Sequence, residues 1–208
     1  MAKSNIDINE LTLKEHLYYA YANLAMAHMA IDNKQTTFDK NNYSIRAKLY
    51  KGLLNGEMNI RTLFDDEKIK LSIGTKCNYC HSTKQLALDH ILAQKLGGKD
   101  NGDNLIYACK TCNSSKGKKD LMEWMIFRGT EFLPLMIIRR YLKLAINYCT
   151  DNNLMDLKIS KIEFEKIPFN FIILYFDNYL LFTSTGKDCI FLQCWFRWTD
   201  IRNWSSDK

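Results

Sequence analysis

The sequence predicts an α+β fold with three regions along its 208 residues. Apolar residues at helical spacing run through residues 1–72, which we predict to be a helical N-terminal region. Two Cys-x-x-Cys pairs frame short apolar runs within residues 73–128, a pattern typical of a small β-hairpin and helix that bind zinc. Residues 129–208 begin with a helical pattern that predicts a helix over residues 131–148. They end in apolar runs broken by turn residues, which indicates an antiparallel β-meander.

A capping-box pattern opens the first helix. Thr12 and Glu15 have the required spacing and apolar residues follow at helical intervals, so we predict a helix over residues 12–31. A second helix is predicted over residues 43–54, where an Asn-Gly pair would end it. The aromatic and methionine side chains of the first helix are core residues, or they form a surface for a partner helix.

The charge pattern is compatible with a nucleic-acid partner. The net charge is +6 and the pI is near 8.8. Residues 76–120 hold eight lysines against four aspartates and no glutamate, so cations are concentrated there. Acidic residues before the first apolar run argue against a secretory signal, and the uncharged stretch 17–31 is shorter than the roughly 20 residues of a membrane helix. We therefore expect a cytoplasmic protein with no membrane partner.

The two cysteine pairs predict a structural zinc site with four thiolate ligands. These ligands would be Cys77, Cys80, Cys109 and Cys112. The sequence places 28 residues between the pairs, whereas a zinc ribbon with this ligand set has roughly 15 to 20. A zinc ion closed by four thiolates has no open position for water, so catalysis between the pairs would require a second metal. The other three cysteines are expected to be reduced, buried thiols.

The segment between the cysteine pairs has the pattern of a hairpin followed by a helix. Residues 84–88 and 105–108 are predicted strands, a turn rich in glycine and aspartate joins them, and a helix is predicted to start near Cys112. The segment also contains a dense set of short motifs: Cys77-x-x-Cys80, Asp89-His90-Ile91, Gly97-Gly98, Asn104-Leu105, Cys109-x-x-Cys112-Asn113 and Lys116-Gly117. With these motifs it resembles the HNH endonuclease family, whose nuclease core is called ββα-metal.

The resemblance implies a nuclease that uses a divalent cation, Mg²⁺ or Mn²⁺, in addition to the structural Zn²⁺. It implies that His90 is the general base and that Asp89 and Asn113 are ligands of the catalytic cation. It also implies that Asn104 braces the loop and orients the base. From the residues alone, Asn104 could instead be a turn residue. Asn113 could be only a helix cap, or it could cap the helix and bind the cation at once.

The chemistry of phosphodiester hydrolysis fits these residue types. An imidazole accepts protons near neutral pH, and a hard cation held by oxygen ligands offsets charge on the phosphate. On a regular strand Asp89 and His90 would face opposite sides, yet both must reach one phosphate, so we expect irregular backbone there. Beside such a site, Lys116, Lys118 and Lys119 are predicted to contact DNA phosphates, although they could also form a solvated face.

The function we predict is cleavage of double-stranded DNA by a restriction or phage-defence nuclease. Residues 129–208 would recognise DNA or form a dimer, and one site per chain favours a homodimer. A non-catalytic zinc module that binds nucleic acid or protein is an alternative, but it gives no reason for Asp89, His90 and Asn113 to occur together. A nuclease subunit that acts only with a protein partner, docked on the N-terminal helix, is a further alternative. RNA also remains open as the substrate.

Overall fold

The computed structural model describes residues 7–61, 63, 74–128, 132–163, 166–170 and 189–191. They form an α+β fold, as predicted. The helices are α1 (Leu13–Asp32), α2 (Lys40–Leu54), α3 (Lys110–Lys116), α4 (Leu121–Phe127) and α5 (Leu135–Asp151). The strands are β1 (Leu86–His90), β2 (Leu105–Cys109), β3 (Phe132–Pro134) and β4 (Cys189–Phe191). Short 3₁₀ turns cover Ile8–Glu10, Gln94–Leu96 and Ile159–Lys161.

Both N-terminal helices begin at capping boxes. The backbone N–H of Glu15 donates to Thr12 Oγ1 at 3.2 Å, and the Thr12 N–H donates to Glu15 Oε2 at 2.8 Å. The second helix starts at Lys40, three residues before its predicted start, because Asp39 and Asn42 form another capping box. This reciprocal pair satisfies backbone donors that a first helical turn leaves free, so the helix extends back to it.

The helix α1 is a core element. Twelve of its 20 residues are buried, and it packs against α2 on one side and α5 on another. Tyr21 and Met26 are buried, whereas Tyr18 and Met29 are only partly covered. One hydrophobic cluster joins α1 and α5 to buried residues of the hairpin region, so the described parts of the three regions share a core. No helix in these described ranges is long and apolar enough to cross a bilayer.

The hairpin of β1 and β2 is antiparallel and in continuous register, from Leu86 opposite Cys109 to His90 opposite Leu105. The first strand begins two residues later than predicted and continues through His90. The expectation of irregular backbone at Asp89 and His90 is therefore wrong, because both residues take part in regular pairing with β2. The helix α3 starts directly after the hairpin, with Cys109 as its N-cap.

The C-terminal helix differs from its prediction at the start. We predicted a helix over residues 131–148, but residues 132–134 form β3, which pairs antiparallel with β4, and α5 begins at Leu135. Proline restricts the residue before it to extended conformations, so Pro134 favours a helix start after rather than before it. The predicted β-meander falls mostly outside the described residues.

The helix α5 also holds the connection between β1 and β2. Arg140 is fully buried, and its guanidinium donates to the backbone oxygens of Asp103, at 2.8 Å, and Gly102. These contacts attach the end of the hairpin loop to the core. The loop that precedes β2 is therefore held from outside the hairpin.

Candidate active site and metal centre

The four cysteines predicted to bind zinc lie together. The sulfur atoms of Cys77, Cys80, Cys109 and Cys112 are all within 4.8 Å of one another, and the Cys80 and Cys109 sulfurs are 3.7 Å apart. In a tetrahedral site with Zn–S distances of about 2.3 Å, the sulfurs stand about 3.8 Å apart. The cluster therefore has the ligand set and the size of a closed four-cysteine zinc site.

Hydrogen bonds shape both cysteine pairs. The first pair is tied to β2 by Asn78, whose N–H donates to Tyr107 O at 2.8 Å and whose Oδ1 accepts the Tyr107 N–H at 3.0 Å. In the second pair, the backbone N–H of Cys112 donates to Cys109 Sγ at 3.5 Å. This bond is the main reason that the pKa of the Cys109 thiol is lowered to about 7. At neutral pH, Cys109 is therefore present as the thiolate that zinc requires to a greater extent than an ordinary cysteine.

Asp89 is a buried carboxylate on β1, only 5% exposed. Tyr79 Oη donates to Asp89 Oδ2 at 2.7 Å, and the ammonium of Lys116 lies 3.5 Å from the same oxygen. Burial and the nearby Asp89 charge raise the pKa of Tyr79 well above its usual value, so its hydroxyl remains a donor. A carboxylate offers about four acceptor positions, so these two contacts leave acceptor capacity for a cation, mainly on Oδ1.

His90 follows Asp89 on β1 and faces the opposite side. Its side chain is 22% exposed, and Nε2 lies 2.9 Å from Asp100 Oδ1 in the hairpin loop. The carboxylate can only accept, so Nε2 carries the proton and Nδ1 is left as the basic nitrogen. Lys116 donates to the backbone oxygen of His90 at 2.5 Å, which secures the strand beneath the imidazole.

Asn104 is the brace of the hairpin loop. It is 1% exposed, and its side chain accepts from Leu92 N at 2.8 Å and donates to Leu92 O at 2.8 Å and to Lys99 O at 2.9 Å. A Cβ added at Gly98 would lie 1.9 Å from Leu92 O, so the loop can close around Asn104 only with glycine there. Asp100, the contact of His90 Nε2, lies in this loop. Asn104 therefore influences the position of the imidazole indirectly, by holding the loop that contains Asp100.

Asn113 lies on α3 beside β1. Its side-chain amide donates to Leu88 O at 3.4 Å, one residue before Asp89, and it is partly exposed. The interpretation of Asn113 as a helix cap is wrong, because Cys109 is the N-cap of α3. With the amide nitrogen directed at β1, the amide oxygen is the atom of Asn113 that could serve as a metal ligand.

The three lysines predicted to contact DNA occupy different environments. The Lys116 side chain is fully buried beneath β1, where burial lowers its pKa and the Asp89 charge opposes that effect. Lys118 and Lys119 are exposed, and Lys119 Nζ donates to Ser115 O at 2.7 Å. The structure therefore groups Lys116 with Asp89 and His90, and leaves Lys118 and Lys119 at the surface.

The model of the HNH endonuclease family matches residues 77–119, which contain the cysteine cluster, the hairpin and α3. We call residues 77–119 the HNH domain, after the family model that they match. The match supports a nuclease-type function and a metal-binding role for this segment. No curated protein and no solved structure matches the chain.

The HNH domain is supported by α4, which follows it in the chain. Trp124 packs edge-to-face on Tyr79 with ring centroids 4.8 Å apart, and its Nε1 donates to Ser115 Oγ at 3.0 Å. Arg128 stacks over Trp124 and donates to Cys112 Sγ at 3.3 Å. Burial raises the pKa of the Cys112 thiol, and this guanidinium acts in the opposite direction.

Three features of the HNH domain were not found from the sequence. These are the contact of Asp100 with His90, the contact of Tyr79 with Asp89, and the burial of Lys116. Asp100 was visible only as one of several polar residues in a glycine-rich turn. Tyr79 had no signal beyond its place inside the first cysteine pair.

Proposed function

We propose that the protein is a metal-dependent endonuclease that hydrolyses phosphodiester bonds in double-stranded DNA. The observation that carries this proposal is the arrangement around His90: a partly exposed imidazole, held through Nε2 by Asp100, next to a buried carboxylate in an HNH domain. A purely structural zinc module has no use for this arrangement.

His90 is the general base of the proposed reaction. With the Nε2 proton donated to Asp100, Nδ1 is free to take a proton from the attacking water, and the Asp100 carboxylate stabilises the imidazolium that forms. Asn104 contributes by holding the loop that contains Asp100. A positioned base of this kind typically contributes about 10²- to 10⁴-fold to the rate.

Asp89 and Asn113 are the proposed ligands of the catalytic cation, Mg²⁺ or Mn²⁺. Both offer oxygen ligands, which hard cations prefer, and both lie at β1: Asp89 is the residue before His90, and the Asn113 amide contacts Leu88 O. When bound, such a cation would offset the negative charge on the scissile phosphate and the departing oxygen. Tyr79 and Lys116 hold the Asp89 carboxylate in one orientation, so we propose that they are positioning residues.

Zn²⁺ is proposed for the four-cysteine cluster, where it would hold both ends of the hairpin and α3 together. Four thiolates close the tetrahedral shell, so this ion would have a structural role only. The exposed Lys118 and Lys119 are proposed to contact phosphates. Because the ammonium of Lys116 is buried against Asp89, we no longer propose a direct DNA contact for it.

The wider role we propose is restriction or phage defence in the cytoplasm. Cleavage of both strands by a chain with one HNH domain is most simply achieved by a homodimer. A protein partner that docks on α1 would contact the residues of that helix that are not buried, such as Tyr18 and Met29.

The test is cleavage of supercoiled plasmid and phage DNA by the zinc-loaded protein with Mg²⁺, Mn²⁺ or no added cation. We expect cation-dependent nicks or breaks, and a loss of at least about 100-fold in rate in His90→Ala. The matched control is His28→Ala, which removes a partly exposed histidine on α1 and should cut at the wild-type rate. Wild-type turnover in His90→Ala would remove this mechanism. Intact DNA with folded, zinc-loaded wild-type protein would favour the non-catalytic module.

A further inference from the structure

The second helix, α2, has an unusual charge pattern. Its 15 residues contain four basic side chains and no acidic one. Three of the basic residues are exposed lysines: Lys40, Lys48 and Lys51. None of the three forms an ion pair with any part of the chain that the structure describes. Surfaces that serve only solubility usually mix charges of both signs, so this one needs another explanation.

The three lysines lie on one face of α2. At about 100° per residue they fall within about 80° of one another, and Lys40 and Lys51 are separated by about 16 Å along the axis. The side chains between them on that face, Ser44 and Ala47, are small and exposed. We call Lys40, Ser44, Ala47, Lys48 and Lys51 the α2 lysine stripe. It leaves room for a bulky partner to approach the helix backbone.

The opposite face of α2 is anchored firmly to the core. Arg46 Nη1 donates to the buried Asn23 Oδ1 at 3.0 Å, and the guanidinium lies 5.2 Å from the ring centroids of both Tyr19 and Tyr43. Near the C-terminal end, Leu53 is buried in the core. The fourth cation of α2 is therefore used inside the protein, and the helix presents the stripe from a fixed position.

We propose that the α2 lysine stripe binds the phosphate backbone of duplex DNA and so holds the substrate of the HNH domain. Duplex DNA carries about one negative charge per 1.7 Å of its axis, so a row of unpaired ammonium groups about 16 Å long meets several phosphates at once. Lysine contacts to phosphate do not distinguish one base sequence from another, so the stripe contributes affinity and orientation rather than sequence specificity. This inference rests on the proposed nuclease function.

The test is a salt series of duplex-DNA binding, measured by fluorescence anisotropy in the His90→Ala background so that the probe stays intact. The stripe variant is Lys40→Gln, Lys48→Gln and Lys51→Gln, which preserves helix propensity. The control variant is Lys158→Gln, Lys161→Gln and Lys166→Gln, which removes the same charge from exposed lysines outside α2.

The stripe variant should have a slope of log K against log salt that is smaller by about 2.7, or 0.9 for each lost contact. Between 50 and 200 mM salt, the protein with an intact stripe should then lose about 40-fold more affinity than the stripe variant. The control variant should change the slope by less than about 1.

Two outcomes separate this inference from the proposed function. If the wild type cuts DNA but the stripe variant has the same salt slope as the control variant, the proposed role of the stripe is wrong and the proposed nuclease function is unaffected. A wild type that neither binds nor cuts DNA would overturn both. Binding of duplex RNA through the stripe in preference to DNA would overturn the assignment of DNA as its ligand.

Discussion

Replacing Asn104 with alanine tests whether the loop brace controls both stability and catalysis. The substitution removes three hydrogen bonds, to Leu92 N, Leu92 O and Lys99 O, in a position that is 1% exposed. Each such bond contributes about 1 kcal/mol net, and a buried group left without a partner costs about 1 to 3 kcal/mol. We therefore expect Asn104→Ala to lower the free energy of unfolding by about 3 to 5 kcal/mol.

Urea unfolding of the zinc-saturated protein measures this loss. The matched control is Asn152→Ala, which removes one exposed hydrogen bond to Tyr148 O and should change the free energy of unfolding by less than about 0.5 kcal/mol. Hydrogen exchange of the Leu92 amide gives a local readout, because that N–H is the donor to Asn104 Oδ1. Its protection should fall in Asn104→Ala before the protein unfolds globally.

The rate of DNA cleavage should also fall in Asn104→Ala. Without Asn104, the loop that contains Asp100 loses its position, and Asp100 is the contact that orients His90. We expect cleavage to fall by at least about 10-fold under conditions where the variant is still folded. A loss of stability below about 1 kcal/mol, together with wild-type protection of the Leu92 amide, would refute the bracing role.

Three further perturbations have defined outcomes. Cys109→Ala should release zinc and unfold the domain, because structural zinc sites contribute on the order of 10 kcal/mol of apparent binding free energy. The measurement is the molar ratio of zinc to protein, and an unchanged ratio would contradict this prediction. Tyr79→Phe removes a hydroxyl donor from a buried carboxylate and should cost about 2 kcal/mol in urea unfolding, and an unchanged midpoint would count against that contact. Asp100→Asn removes the carboxylate charge beside His90 Nε2 and should slow cleavage with little change in stability. The control variant Asp103→Asn has the same charge change and should cut DNA at the wild-type rate.

Local signals in the sequence predicted local structure well. The capping box at Thr12 marks the start of α1, and the spacing of the cysteine pairs identified all four members of the sulfur cluster. Both hairpin strands were found, although β1 is shifted by two residues. These features depend on residues close together in the chain, and on a ligand chemistry that few residue types can supply.

The errors come from signals that compete over short distances. The start of α2 was missed because Asp39 and Asn42 form a less familiar capping box than the Ser/Thr-x-x-Glu pattern. The start of α5 was placed too early, because an apolar run beside Pro134 fits a short strand as well as a first helical turn. Irregular backbone was expected at His90 because both functional side chains had to reach one phosphate, yet β1 stays regular there.

By itself, the sequence determined the class of the fold, the members of the four-cysteine cluster and the position of the HNH domain, because each depends on residue types at short, characteristic spacings. Only the tertiary structure decided which groups meet: Asp100 with His90, Tyr79 and Lys116 with Asp89, and α5 with the hairpin loop. Such contacts depend on how separate elements pack, and many different residues along the chain could satisfy the same buried carboxylate or backbone oxygen. Burial likewise separates Lys116 from Lys118 and Lys119, which are alike in sequence but differ in their access to solvent.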